Sequence, residues 1–211
     1  MSNILQFQDD EEEILQRIKK YGPKDTSYIT VYDKKHIPKI RRKISNEQWR
    51  DGFIQASEAR LNDHHTTYDG IEILDVSKSD DLLTLRGLRF FTSQILGTDT
   101  TRYRFGVVGS DGSQARPYQN GLFGEVTPRV DITLPGNGSI ARSGTIILRF
   151  ICNFPSSFPT LTIRESGIST ASPGGIFLNR NIYASPSTHT SGVSGFTLTT
   201  DISFSIVTTF L

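Results

Sequence analysis

Residues 196–210, FTLTTDISFSIVTTF, alternate in character with period two. Phe196, Leu198, Ile202, Phe204, Ile206 and Phe210 share one parity, while Thr197, Thr199, Asp201, Ser203, Ser205 and Thr209 share the other. Successive side chains of a strand point to opposite faces, so the run predicts a strand with one face buried and one in water. It is far longer than the usual strand of about 5–6 residues, which predicts a bend or bulge near Thr200-Asp201. Ile146, Leu148, Phe150 and Cys152 repeat the pattern, so Cys152 reads as a small core residue and not as a nucleophile. Further strand-like runs at 102–108, 126–134, 140–152, 159–166 and 176–183 are separated by turn signals at Gly109 to Gly112, Asn120-Gly121, Pro135 to Gly138, Pro173 to Gly175 and Gly192 to Gly195. Strands in this series predict a mainly β fold, an antiparallel β-sandwich or jelly-roll-like domain. Leu82 to Leu96 breaks the series: Leu88, Phe91 and Ile95 fall at helical spacing, which predicts a helix despite Gly87.

Charge divides the chain. Residues 1–69 hold 12 Lys+Arg and 12 Asp+Glu, whereas residues 70–211 hold 16 of the 18 Gly and 36 Ser or Thr. The expected organisation is a charged, partly helical N-terminal anchoring segment over 1–69 and the β-sandwich over 70–211. In the first segment, acidic Asp9 to Glu13 and basic Arg17, Lys19 and Lys20 flank an apolar stripe before Gly22-Pro23, predicting a helix from about residue 10 to 21. Ser27 to Tyr32 is β-prone and short. Ser45 and Gln48 have capping-box spacing, and Trp49, Phe53, Ala56 and Leu61 line one face of a second helix, about 46 to 61. So small a segment cannot cover Trp49 and Phe53 by itself, so they are expected to dock on the β part or on another subunit. Between the helices stands a basic run of Lys34, Lys35, Lys39, Arg41, Arg42 and Lys43. It reads as a solvated connector around Pro38 or as a contact surface for an acidic partner or nucleic acid. Without interleaved aromatics or a nucleic-acid module, the connector is favoured and nucleic acid is not expected as a partner.

The rest of the composition removes function classes. A formal charge of +1 and a pI near 7.9 supply no global field for nucleic acid or an anionic membrane. A single cysteine excludes an intramolecular disulfide and a cysteine metal cluster. No apolar run approaches the roughly 18 residues of a membrane helix, and the acidic start MSNILQFQDDEEE is unlike a signal peptide, so a soluble chain made in a cytoplasm is expected. His36, His64, His65 and His189 show no metal-ligand spacing and read as loop histidines. GVVGSDG at 106–112 is neither a dinucleotide nor a Walker loop, and no serine sits in a G-x-S-x-G elbow. Asp69, Glu72, Asp75, Asp80 and Asp81 fit neither an EF-hand nor a placeable glycosidase pair. The expectation is a non-enzyme without cofactor or metal.

One polar pair stands out. In TLTIRES, Glu165 shares the parity of Leu161 and Ile163, which puts a carboxylate on a buried face that must supply a partner. Arg180, on the next strand after the Pro173-Gly174-Gly175 turn, is the candidate, and such a pair serves register more often than catalysis.

The same hairpin, TIRESGISTASPGGIFLNRNIY, with the terminal strand TLTTDISFSIVTTF, resembles a domain of structural proteins of tailed bacterial and archaeal viruses. The pattern T-E-x-G-[LI]-F-x-A-x-x-G-G-x-x-L-x-R is matched by Glu165, Gly167, Ile168, Ala171, Gly174, Gly175, Leu178 and Arg180, with Ser169 in a place usually apolar or aromatic. Upstream, FGVVGSDG resembles a strand and glycine turn, and Leu122, Glu125 and Arg129 resemble an L-x-x-E-[IV]-x-R run, with Arg129 one residue late. The resemblance covers roughly 83–211. It implies a β-sandwich virion component, tail-associated or capsid-decorating, without enzymatic activity, that self-assembles as a homo-oligomer and contacts other virion proteins. The alternative expectation is a host-surface or glycan-binding module that uses the Ser/Thr/Asn-rich loops.

Overall fold

The computed structural model describes residues 23–33, 55–62, 66–68, 71–79, 82–115, 119–132, 139–142 and 145–205. Two antiparallel sheets form a sandwich-like β fold, as the strand pattern predicts. One sheet has six strands, in the order β2 (Thr66–Tyr68), β3 (Ile71–Ser79), β1 (Lys24–Asp33), β11 (Ser194–Ser205), β8 (Thr145–Phe154) and β7 (Ser139–Arg142). The other has five, in the order β4 (Leu82–Leu83), β10 (Asn179–His189), β9 (Leu161–Ser169), β5 (Phe105–Gly109) and β6 (Glu125–Asp131). Helix α1 covers residues 55–61 and α2 runs over Leu85–Ile95. The basic run 34–43, the helix expected over 10–21, and Trp49 and Phe53 lie outside the described residues.

The core fills the space between the sheets. Ile29, Val31, Phe150, Cys152, Phe154, Phe196, Leu198 and Ile202 from the six-stranded sheet meet Val108, Leu161, Ile163 and Ile168 from the other, and Leu178 just before β10. Phe154 stacks on Phe196 with centroids 4.4 Å apart, and the edge of Phe158 meets both rings.

The division expected at residue 69 is corrected by β1. This strand pairs with β11 along its whole length, from Lys24 opposite Ser203 to Asp33 opposite Ser194, and with β3 on its other side. A segment read as an appendage therefore supplies a central strand. Both of its faces are buried: Asp25, Ser27, Ile29 and Val31 point between the sheets, while Tyr28, Thr30 and Tyr32 point outward. The outer face is covered by α1, where Ala56 packs with Tyr28, Tyr32, Ile73 and Val76. Thr30 Oγ1 lies 3.0 Å from Ser57 Oγ, and Tyr28 donates to Glu58 Oε1 at 2.8 Å. The final turns of the helix expected over 46–61 thus dock on the β part, although Leu61 is exposed.

Two expectations for β11 are also corrected. Its outer face is not in water: Thr197 and Thr199 are 3% and 2% exposed. The Tyr32 ring lies against Gly195, where a Cβ would come within 2.7 Å of it, and Thr197 donates to Asn153 Oδ1 at 2.9 Å. Asp201, on the same face, takes a two-pronged bond from Arg149 on β8, both distances being 2.7 Å. The ladder also runs without a register shift through Thr200-Asp201 on both sides. Thr200 keeps the inward parity and is accommodated there by Ser27, 2.8 Å away.

Helix α2 starts at an N-cap, Thr84, whose hydroxyl accepts from Gly87 N at 2.9 Å and donates to Phe177 O at 2.6 Å. Gly87 is required by packing: a Cβ there would lie 2.5 Å from Leu178 O. The helix backbone therefore rests directly on the strand-entry segment at 177–178. Phe90 carries the buried face, edge-on to Tyr103 at 5.4 Å, with Leu88 and Phe91 packed beside it.

Because β1 is central, residues 70–211 expressed alone would leave β3 and β11 with unpaired edges. We expect that fragment to be unfolded or aggregated by circular dichroism and size-exclusion chromatography. A soluble fragment with the spectrum of the full chain would show that β1 is dispensable.

Candidate functional site

Glu165 and Arg180 meet, as their parity requires. Glu165 stands on β9 opposite Ile182 of β10, so Arg180, two residues along, reaches it diagonally across the hairpin. Arg180 Nε donates to Glu165 Oε2 at 2.6 Å, and the side chains are 1% and 0% exposed. The segment linking β5 to β6 closes over the pair. Gly124 N donates to Glu165 Oε1 at 2.6 Å and Phe123 N to Oε2 at 3.3 Å. The remaining guanidinium nitrogens of Arg180 donate to Gln114 O, Gln119 Oε1, Asp111 Oδ1 and Ser113 Oγ at 3.2–3.4 Å. The Phe123 ring lies over the guanidinium at 4.5 Å from its centroid and is 61% exposed. Hydrogen bonds from Ser113, with Arg180 beside it, hold the Asp111 carboxyl below its ordinary range against the opposing effect of desolvation.

Two glycines make this approach possible. A Cβ on Gly109 would sit 2.5 Å from Glu165 Oε1, and one on Gly124 would sit 2.7 Å from Asp111 N. The turn signal around Gly109 to Gly112 is therefore a clearance requirement around a buried carboxylate.

A second arginine organises the neighbouring turn. Arg129 on β6 binds Glu125 through Nε at 2.7 Å and Nη2 at 2.9 Å. Its Nη1 donates to Ser169 Oγ at 3.0 Å and to the carbonyls of Ala171 and Gly174, while the guanidinium covers the Phe177 ring at 5.0 Å. Gly175 holds φ +90° in that turn, a conformation that favours glycine. The Ser169 hydroxyl is thus a hydrogen-bond partner of Arg129. Gly167 approaches β10 so closely that a Cβ would lie 2.6 Å from Asn179 O.

Sequence reasoning missed the polar layer between β1 and β10. Asn179 donates to Asp25 Oδ2 at 2.7 Å, and Asn181 donates to Ser27 Oγ at 2.6 Å. Ser77 of β3 donates to Ser185 O, and its hydroxyl lies 2.6 Å from Ser187 Oγ. These bonds join the two sheets through their inward side chains. The signal was present in the inward parity of Asp25 and Ser27, but its reading required knowing that β1 is central.

Chemically, the Arg180–Glu165 centre holds charge and offers no reagent to a solute, because both carboxylate oxygens are bonded internally and excluded from solvent. Cys152 is fully buried, and burial pushes its thiol well above the ordinary range. Among the described residues, no three His, Cys, Asp or Glu side chains are grouped to hold a metal ion. Asp75 accepts from the next backbone N–H, Val76, at 2.9 Å, while Asp69, Asp80, Asp81, His36, His64 and His65 lie outside the described residues. His189 corrects its expected loop placement: it ends β10, fully buried, with Nε2 3.0 Å from Phe158 O and Nδ1 3.2 Å from Ser194 Oγ.

No family model matches this chain, and no curated protein or solved structure does.

Two predictions test these sites. Glu165→Gln or Arg180→Met alone should cost about 3–5 kcal/mol of stability, because each leaves a buried group without its partner. Arg104→Ala should cost under about 1, since the Arg104–Asp131 pair is exposed. Urea titrations that found the buried variants as mild as the exposed one would refute the desolvated pair. For His189, burial lowers the imidazole pKa from its ordinary 6.5, with the Phe158 carbonyl opposing. The unfolded chain then binds more protons as pH falls, so this contribution is complete above about pH 6.5 and is lost as the pH falls toward the folded value. His189→Gln should flatten the pH slope of the urea midpoint in that window, and an unchanged slope would exclude His189 as its source.

Proposed function

We propose that this chain is a non-enzymatic structural protein of the virion of a tailed bacterial or archaeal virus. In this reading it is tail-associated or capsid-decorating, assembles with copies of itself and attaches to a neighbouring virion component. The observation that carries the reading is the use made of the C-terminal motif. Glu165, Gly167, Ala171, Gly174, Gly175 and Arg180, together with Glu125 and Arg129, are spent on internal bonds and close packing that fix the turns at 110–124 and 170–177. A motif used this way builds a rigid surface, which suits a repeated building block. No helix among the described residues is long and apolar enough to cross a membrane. Symmetric self-association is the default for such parts.

A second reading, a host-surface or glycan-binding module, is favoured by one observation: Phe123 presents an aromatic ring to solvent on a loop held from below by Glu165 and Arg180.

Mass photometry of the full chain separates the readings. The structural reading expects a discrete homo-oligomer that survives from about 50 to 500 mM salt and shifts toward monomer when Trp49→Ala and Phe53→Ala are combined. A salt-labile oligomer indifferent to that double change would move assembly to Lys34, Lys35, Lys39, Arg41, Arg42 and Lys43. A monomer at every concentration, with glycan-array binding abolished by Phe123→Ala, would overturn self-assembly in favour of the glycan reading.

A further inference from the structure

Asn120 and Gly121 stand in the segment that seals the Arg180–Glu165 pair, yet neither contributes a bond to it. The Asn120 side chain is exposed, and its Oδ1 accepts from Arg86 Nη1 of α2 at 3.1 Å. Among the described residues, the Gly121 N–H donates no hydrogen bond. Among the described residues, a Cβ on Gly121 would touch only the Phe177 ring, at 3.6 Å. An exposed asparagine, a following glycine whose N–H donates no bond among the described residues, and a cation on the amide oxygen are thus together in one loop.

We propose that Asn120-Gly121 is a site of spontaneous deamidation promoted by Arg86. The Gly121 nitrogen gives its proton to solvent and attacks Asn120 Cγ, forming an N–C bond and placing negative charge on Oδ1. Arg86 already has an N–H at hydrogen-bond distance from that oxygen, the placement of an oxyanion donor, with its effect reduced by solvent exposure. The intermediate expels Nδ2, which takes a proton from water and leaves as ammonia, and a cyclic succinimide remains. Water adds to one of the two imide carbonyls and breaks one of the two C–N bonds, giving aspartate or isoaspartate at 120. Nothing is oxidised or reduced: one ammonia leaves and one water enters. Asn153, Asn179 and Asn181 are poorly placed for this step because they lie in strands and are followed by Phe154, Arg180 and Ile182, whose side chains crowd the attacking nitrogen.

The products differ in consequence. Aspartate puts a carboxylate beside Arg86. Isoaspartate adds a backbone methylene between Gln119, bonded to Arg180, and Gly124, bonded to Glu165, so the loop cannot keep both anchors in their present geometry.

The test is peptide mapping by mass spectrometry of the full-length protein incubated in mildly alkaline buffer. The expected result is progressive gain of the mass that replaces NH2 by OH in the Asn120 peptide, with part of the product accepted by an isoaspartate methyltransferase. Gly121→Ala and Arg86→Gln should each slow it severalfold with unchanged circular dichroism, and the folded chain should convert faster than the same chain in urea. Asn137-Gly138, in the same molecule, is an internal reference that Arg86→Gln should leave unchanged. An Asn120 that stays intact while Asn137 converts would overturn the site. Equal rates in Arg86→Gln, or in urea, would overturn the role of Arg86 and of the fold.

Discussion

Placing Glu165 and Arg180 in the interior removes two charges from water, a change that costs several kcal/mol per ion before any compensation. Mutual attraction alone does not offset it; the geometry around the pair does. Both oxygens of Glu165 are occupied, one by Gly124 N and the other by Arg180 and Phe123 N, and Arg180 spreads its other donors over Gln114, Gln119, Asp111 and Ser113. A buried network is stabilising only when its members are satisfied, so the segment between β5 and β6 is as much a part of the pair as the two side chains. The glycines follow from the same constraint, because the segment must come within contact distance of the carboxylate. The position of that segment then sets where β6 begins and, through Arg129, where the 170–177 turn lies. One ion pair thus orders an entire end of the five-stranded sheet.

A second polar layer does for the sheets what this pair does for the turns. Ser27 is central to it: its hydroxyl meets Thr200 on the neighbouring strand and takes the Asn181 amide from the opposite sheet. Apolar contacts tolerate small slips between layers, but hydrogen bonds of 2.6–2.8 Å do not. Shifting β1 by one residue would turn Ser27 and Asp25 outward and bring Tyr28 and Tyr32 into the core. The register is therefore fixed by a polar error signal inside an otherwise apolar sandwich.

How far each of these features could be read from sequence depends on the range of the interaction. Glu165–Arg180 was legible because both residues lie on one hairpin and strand parity is local. The helix at Leu85–Ile95 was legible from spacing, although the reason Gly87 is tolerated, contact with the Leu178 backbone, was not. The strand character of β1 was legible over Ser27 to Tyr32, but its central place was not, because its inward residues begin with the polar Asp25 and Ser27. Those partners, Asn179, Asn181 and Thr200, are more than 150 residues away. The outer face of β11 failed for the same reason: alternation identifies the inner face, but it cannot reveal that Tyr32 and Asn153 engage the other. For Arg180, the loop partners at 111–119 follow from loop geometry, which carries no period to read.

That separation in sequence has a consequence for how the fold is reached. The six-stranded sheet closes only when β1 pairs with β11, bringing Ser27 to Thr200 across 173 residues. Closing so long a loop must be compensated by contacts formed together, which places the molecule among chains of high contact order that fold slowly. During synthesis β1 emerges well before β11, while β3 can pair with it at once through a much shorter connection. The β1–β3 pair meanwhile presents a free edge, the kind of surface that joins strands between molecules. In the folded chain that edge is filled by β11. Strand β11 therefore finishes the core and, in the same act, covers the edge of β1 at which one copy could pair indiscriminately with another.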